Sequence, residues 1–179
     1  MDMNLPNKLT LARVIMIPVF LVVLLSGIVT EPLNRYIAVV IFIIASFTDY
    51  LDGHLARKYN LVTNFGKFMD PLADKLLVAA ALISMVELED IAAWIVIVII
   101  SREFIITGFR LIAVETGVVI AASMWGKAKT VSQMIMIIIV LSGAFQGNII
   151  EQILIYVSAV LTIISGVDYI VKNINVLKG

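Results

Sequence analysis

Four aspartates, Asp49, Asp52, Asp70 and Asp74, fall within the single stretch TDYLDGHLARKYNLVTNFGKFMDPLADK of a chain that is otherwise strongly apolar. Asp49 and Asp52 are three apart; Asp70 and Asp74 are four apart. Both spacings put side chains on one face of a helix, so the stretch reads as two helices, each with a two-carboxylate face, joined by a short connection that lets the faces oppose. Four anions so placed repel one another unless a cation lies between them. The chain has no cysteine, and an all-oxygen donor set suits a hard divalent ion, Mg²⁺ or Mn²⁺. Four carboxylates can hold one or two ions, with paired metals about 3.5–4 Å apart. Gly53, Ala56 and Gly66 recur at helical spacing from the aspartates, leaving room for a bulky ligand or a close backbone approach. Arg57, four after Gly53, is placed to grip a phosphate bidentately. Pro71 follows Asp70 directly and fits a helix starting there with Asp70 near its N-cap; a kinked helix that begins earlier fits as well.

A second group of charges lies further on. SREFIITGFR carries Arg102, Glu103 and Arg110, and WGKAKT carries Lys127, Lys129 and Thr130. Cations gathered at one end of apolar helices are expected to form a second anion site. Two other uses stay open: Lys127 and Lys129 as headgroup anchors, and Arg102 with Glu103 as a mutual pair inside a span.

The elements that must position these groups are membrane helices. Of 179 residues, 61% are apolar, against about 45–50% in ordinary globular domains. Runs of about 20 apolar residues span a bilayer as helices, and six are expected, at 9–28, 33–53, 68–86, 91–113, 129–146 and 149–171. The fold class is all-α: a polytopic bundle of six transmembrane helices forming one integral-membrane domain over 1–179, with no room for a soluble domain. Gly27, the run Glu87, Glu89 and Asp90, and Gln146-Gly147-Asn148 mark breaks between helices. The stretch from Glu115 to Lys127 reads as a helix–loop–helix at the interface. The first apolar run is read as a retained helix rather than a cleaved signal.

Six spans put both termini on one side, and with them every Lys and Arg except Arg35. By the positive-inside rule that side is cytoplasmic, so the aspartates face the cytoplasm of a bacterial inner or plasma membrane. Net charge is zero, and nothing points to nucleic acid. His54, the one histidine, reads as a solvated interface residue, and Trp94, Trp125, Tyr36 and Tyr50 as interface anchors. Asp168 has no assigned role.

DYLDGHLARKYNLVTNFGKFMDPLAD resembles the signature of the CDP-alcohol phosphotransferases, D-x-x-D-G-x-x-A-R-x8-G-x-x-x-D-x-x-x-D. Every fixed position is filled, by Asp49, Asp52, Gly53, Ala56, Arg57, Gly66, Asp70 and Asp74. The resemblance implies transfer of a phosphate-linked group from a CDP-linked donor to an alcohol with release of CMP. By the same resemblance the first three aspartates ligate metal, and Asp74 contacts metal and acts as general base. Gly53, Ala56, Arg57 and Gly66 would line the nucleotide site. NKLTLAR, with Asn7, Thr10 and Arg13, is similar to the family's N-terminal segment that meets the cytidine end. The resemblance also implies a homodimer.

A lipid donor, CDP-diacylglycerol, explains why the site hangs at a membrane surface. Among acceptors, the cations Arg102, Arg110, Lys127 and Lys129 favour anionic glycerol 3-phosphate over cationic choline or ethanolamine. SREF and GKAKT are also similar to segments of the branch of the family that makes phosphatidylglycerol phosphate. Inositol phosphate or serine as acceptor is the alternative within the family. A divalent-cation transporter is a further alternative, but it would place polar groups near the midplane of two repeated halves, whereas these acids cluster at one face.

Overall fold

The structure is a computed structural model and describes residues 5–58, 64–115, 117, 120 and 123–174; the side chains of residues 5, 6, 50–58, 64–68, 70, 71 and 115 are outside that description. Six helices follow one another: α1 (Leu5–Leu25), α2 (Leu33–Lys58), α3 (Asn64–Glu87), α4 (Ala93–Glu115), α5 (Met124–Ser142) and α6 (Ile149–Asn173). No strand occurs among the described residues. The all-α expectation and the number of helices hold. Asn7–Leu25, Met124–Ser142 and Ile149–Asn173 are each long and apolar enough to cross a membrane. α4 carries four charged residues, Arg102, Glu103, Arg110 and Glu115.

Helix ends differ from the sequence expectation for local reasons. α2 runs past residue 53 to Lys58 and α3 begins at Asn64 rather than 68, because the end of the apolar stretch does not end a helix: Leu, Ala, Arg and Lys are all good helix formers. Of the two readings of Pro71, the earlier start holds, and Pro71 lies inside α3. α5 begins at Met124 rather than 129, where Ser123 caps it by accepting a hydrogen bond from the Gly126 N–H at 3.1 Å. Between the end of α4 at Glu115 and the start of α5 at Met124 only residues 117, 120 and 123 are described, so the helix–loop–helix reading of 115–127 falls largely outside the described residues. Asn148 caps α6, accepting from the Ile150 N–H at 3.0 Å, and Glu151 reaches back to the Gly147 N–H at 2.8 Å, a relative of the capping box.

The chain divides into two compact units: Met1–Leu88 with Leu141–Gly143, and Glu89–Val140 with Ala144–Gly179. In the first unit α1 packs against both α2 and α3, which also pack on each other. The buried stripe of α2 is Ala38, Phe42 and Ala45, and that of α3 is Ala73, Leu77 and Ala81. Small residues on such stripes let helices in a membrane approach closely, where packing rather than solvent exclusion holds them. Asp49 lies one turn beyond Ala45, so the α2 stripe leads to the first aspartate. In the second unit α4 packs on α6 around buried Ile106, Phe109 and Tyr169. Phe109 meets the Tyr169 ring edge-on, with centroids 6.0 Å apart.

Candidate functional site

Asp49 and Asp52 lie in the last turns of α2, and Asp70 and Asp74 in the first turns of α3. α2 and α3 pack on each other. The paired spacing read from the sequence therefore falls on two helices that pack within one unit. Asp49 is half-buried and Asp74 is exposed. Asp52, Gly53, Ala56 and Arg57 belong to α2 and Gly66 and Asp70 to α3, with side chains outside the described residues. Among the described residues no three acidic or histidine side chains gather into a metal-binding group. As a donor set, four carboxylates on two packed helices fit a hard divalent cation.

The N-terminal segment joins this site directly. Asn7, Thr10 and Arg13 are spaced by three along α1 and are all buried, at 7%, 1% and 0% exposure. Arg13 donates from Nη1 to Asp49 Oδ1 at 2.6 Å and from Nε to the Ala45 carbonyl at 3.1 Å. A completely buried guanidinium is expensive unless it is paired and hydrogen-bonded, and this one is both. The cationic character of Arg13 was visible in the sequence; its partner was not.

The second group of charges centres on Glu103. Its Oε1 accepts from Arg102 Nη1 at 2.9 Å and from Lys129 Nζ at 2.5 Å. The mutual pairing of Arg102 with Glu103 is thus present, with Lys129 of α5 added to it. Two cations thus share one carboxylate oxygen. Arg102 lies against α6, where a Cβ at Gly166 would be 3.2 Å from Arg102 Cγ. Its Nε is buried without a hydrogen-bond partner. Lys127 is exposed. Arg110 is also exposed and is held by Tyr169, with Nε 3.3 Å from the phenolic oxygen and the guanidinium carbon 5.7 Å from the ring centroid. The structure therefore joins Arg102 and Lys129 through Glu103 and directs Arg110 to a different partner.

Asp168, unassigned from the sequence, pairs with Lys172 one turn on, at 2.6 Å. It also bonds the Ser123 hydroxyl that caps α5, so it ties the end of α6 to the start of α5. An acid and a base four apart on a helix was the sequence signal for the first of these contacts; nothing local foretold the second.

Comparison with known proteins agrees with the signature. A sequence model of the family described as CDP-alcohol phosphatidyltransferase matches residues 3–164. The chain is 46% identical to the CDP-diacylglycerol–glycerol-3-phosphate 3-phosphatidyltransferase of Bacillus subtilis (strain 168), covering 98% of this chain and 97% of the relative. It is 40% identical to the protein of the same name from Rickettsia bellii, covering 94% of each. It is also 40% identical to a probable phosphatidylglycerophosphate synthase of Mycobacterium tuberculosis, covering 98% of this chain and 84% of the relative. With the signature filled at every fixed position, on two packed helices of an all-helical fold, the chain belongs to the CDP-alcohol phosphatidyltransferase family.

Proposed function

We propose that the chain makes phosphatidylglycerol phosphate and CMP from CDP-diacylglycerol and sn-glycerol 3-phosphate, as a step of phospholipid biosynthesis. The observation that carries the choice of acceptor is the Glu103 cluster, where Arg102 and Lys129 meet on one carboxylate oxygen. Cations gathered in an apolar setting favour a phosphorylated acceptor over a neutral or cationic alcohol. The names of the relatives, which specify glycerol 3-phosphate, support the same reading.

In this reading Arg102 and Lys129, with Lys127 and Arg110, hold the acceptor phosphate. Asn7, Thr10, Gly53, Ala56, Arg57 and Gly66 accommodate the nucleotide end of the donor. The acceptor's hydroxyl oxygen bonds to the phosphorus that carries the diacylglycerol. The bond from that phosphorus to the bridging oxygen breaks, and CMP leaves with that oxygen. Asp74, an exposed carboxylate on α3, takes the hydroxyl proton as the bond forms. Members of the family are generally divalent-metal dependent. Asp49, Asp52, Asp70 and Asp74 would hold one or two Mg²⁺ or Mn²⁺ ions, which when bound neutralise the diphosphate. The diacyl tails stay in the bilayer while the head reaches the helix ends.

The whole chain, 1–179, acts as one integral-membrane domain, as a homodimer, in a bacterial inner or plasma membrane with the aspartates facing the cytoplasm. The orientation rests on the Lys and Arg excess that the six-span reading assigns to the aspartate side; Arg35, the lone cation assigned to the far side, is paired with Glu31 at 3.2 Å.

The test is CMP release by purified protein in lipid nanodiscs with CDP-diacylglycerol and a panel of glycerol 3-phosphate, inositol phosphate and serine. Release that requires both glycerol 3-phosphate and a divalent ion is expected. No release with any acceptor overturns the reading, and release with serine but not glycerol 3-phosphate overturns the choice of acceptor.

A further inference from the structure

We infer that Arg13 is a positioning residue for the aspartate site: it orients the Asp49 carboxylate and ties the N-terminal helix to the metal-binding face. The inference rests on the metal-dependent reading above and adds a residue which that reading leaves without a role.

Arg13 is 0% exposed, lies on α1, and among the described residues makes two bonds of different kinds to α2. Nη1 reaches Asp49 Oδ1 at 2.6 Å, and Nε reaches the Ala45 carbonyl at 3.1 Å. The carbonyl of Ala45 belongs to the backbone one turn before Asp49, so it is a fixed point. A planar guanidinium anchored there presents its second donor in one direction. Holding Oδ1 from that direction restricts the rotation of the carboxylate. A freely rotating aspartate at a helix end would have to be ordered each time an ion bound. Thr48 beside it already bonds the Ala45 carbonyl through its hydroxyl at 2.7 Å, so that oxygen is a shared anchor. Arg13 also places a permanent positive charge against Asp49, which favours the ionised, ligating form of that carboxylate. The same buried face of α1 carries Asn7 and Thr10. A displacement of α1 would therefore disturb the metal face and the proposed donor-binding segment together.

A residue that orients a metal ligand from the outer shell, when replaced, lowers metal affinity by about 10–100-fold. The test is Mn²⁺ binding, with the metal alone, to wild type, Arg13→Lys and Arg13→Gln in nanodiscs, by electron paramagnetic resonance. Thermal unfolding of the same samples is measured in parallel. Lysine keeps the charge but cannot make both bonds at once. Arg13→Lys is expected to unfold close to wild type and to bind Mn²⁺ at least tenfold more weakly, with Arg13→Gln weaker again. In an Asp49→Ala background, Arg13→Lys should produce no further loss, because the effect runs through that carboxylate. Wild-type affinity in both Arg13 variants overturns the inference, as does a loss in Arg13→Lys that persists undiminished in the Asp49→Ala background. If either variant fails to fold, the variant that folds and the Asp49→Ala comparison decide. Wild type that binds no Mn²⁺ overturns the metal-dependent reading itself, and the role of Arg13 with it.

Discussion

Lys129 Nζ lies 2.5 Å from Glu103 Oε1, and the same oxygen takes Arg102 Nη1 at 2.9 Å. One carboxylate on α4 thus holds a cation from its own helix and another from α5. The Lys129 side chain is 5% exposed and that of Glu103 27%, so the pair is largely withdrawn from water. Removing one partner of a buried pair costs about 3–5 kcal/mol because the remaining charge loses its counter-ion. With Glu103 partly exposed, Glu103→Gln is expected to cost about 2 kcal/mol, read as a lower midpoint of thermal unfolding in detergent micelles. An unchanged midpoint would show that the cluster does not stabilise the fold.

Lys127 and Lys129 should separate cleanly. Lys127 is exposed and Lys129 buried. Lys127→Ala is expected to leave stability within about 0.5 kcal/mol of wild type, as surface substitutions usually do, while raising the KM for glycerol 3-phosphate. Lys129→Ala should raise that KM and also lower the unfolding midpoint, because it leaves Glu103 without its closest cation. The KM for CDP-diacylglycerol should move little in either. Equal changes in both KM values would count against an acceptor role for this cluster.

The aspartate site was legible in the sequence as far as its helices, because spacings of three and four are a property of one helix at a time. Asp49 and Asp52 on α2, and Asp70 and Asp74 on α3, follow from that periodicity. The bond from Arg13 to Asp49 was not legible, since it depends on which face of α1 meets α2, a rotation that the apolar pattern of a helix greasy on every side does not specify. The same holds for Lys129: its charge was plain, but the partner lies 26 positions away on another helix. Helix ends were misplaced where hydropathy and capping disagree, as at Ser123, whose hydroxyl starts α5 before the apolar run begins.

Gly143, in the turn after α5, has φ +67°, and a Cβ there would lie 3.1 Å from Arg35 Cδ. Both the left-handed backbone and the crowding oppose a side chain. Arg35 is itself buried and held by Glu31, so it has little freedom to retreat. The left-handed conformation alone costs an L-residue roughly 1–2 kcal/mol. Gly147 offers the control, with φ +75° and nothing within 4 Å of an added Cβ. Gly147→Ala should carry only the backbone cost, and Gly143→Ala should be the more destabilising of the two by chemical denaturation. Equal losses would mean that Arg35 moves aside without cost.

In the proposed reaction Asp74 takes the hydroxyl proton, and its replacement would separate binding from chemistry. Asn has the shape of Asp but cannot accept the hydroxyl proton as a base. General-base catalysis contributes about 10²–10⁴-fold, so kcat of Asp74→Asn is expected to fall by at least that range. As a proposed metal ligand Asp74 would also give up an anionic oxygen donor for a neutral one, which deepens the loss. The proposed donor site also includes the N-terminal segment and the nucleotide-site positions, so CDP-diacylglycerol should still bind, within about tenfold of wild type, a difference of about 1.4 kcal/mol. Donor affinity is read by displacement of a labelled CDP-lipid, and turnover by CMP release. A variant that keeps turnover within a few-fold of wild type would remove Asp74 from the base role and leave it, at most, a ligand.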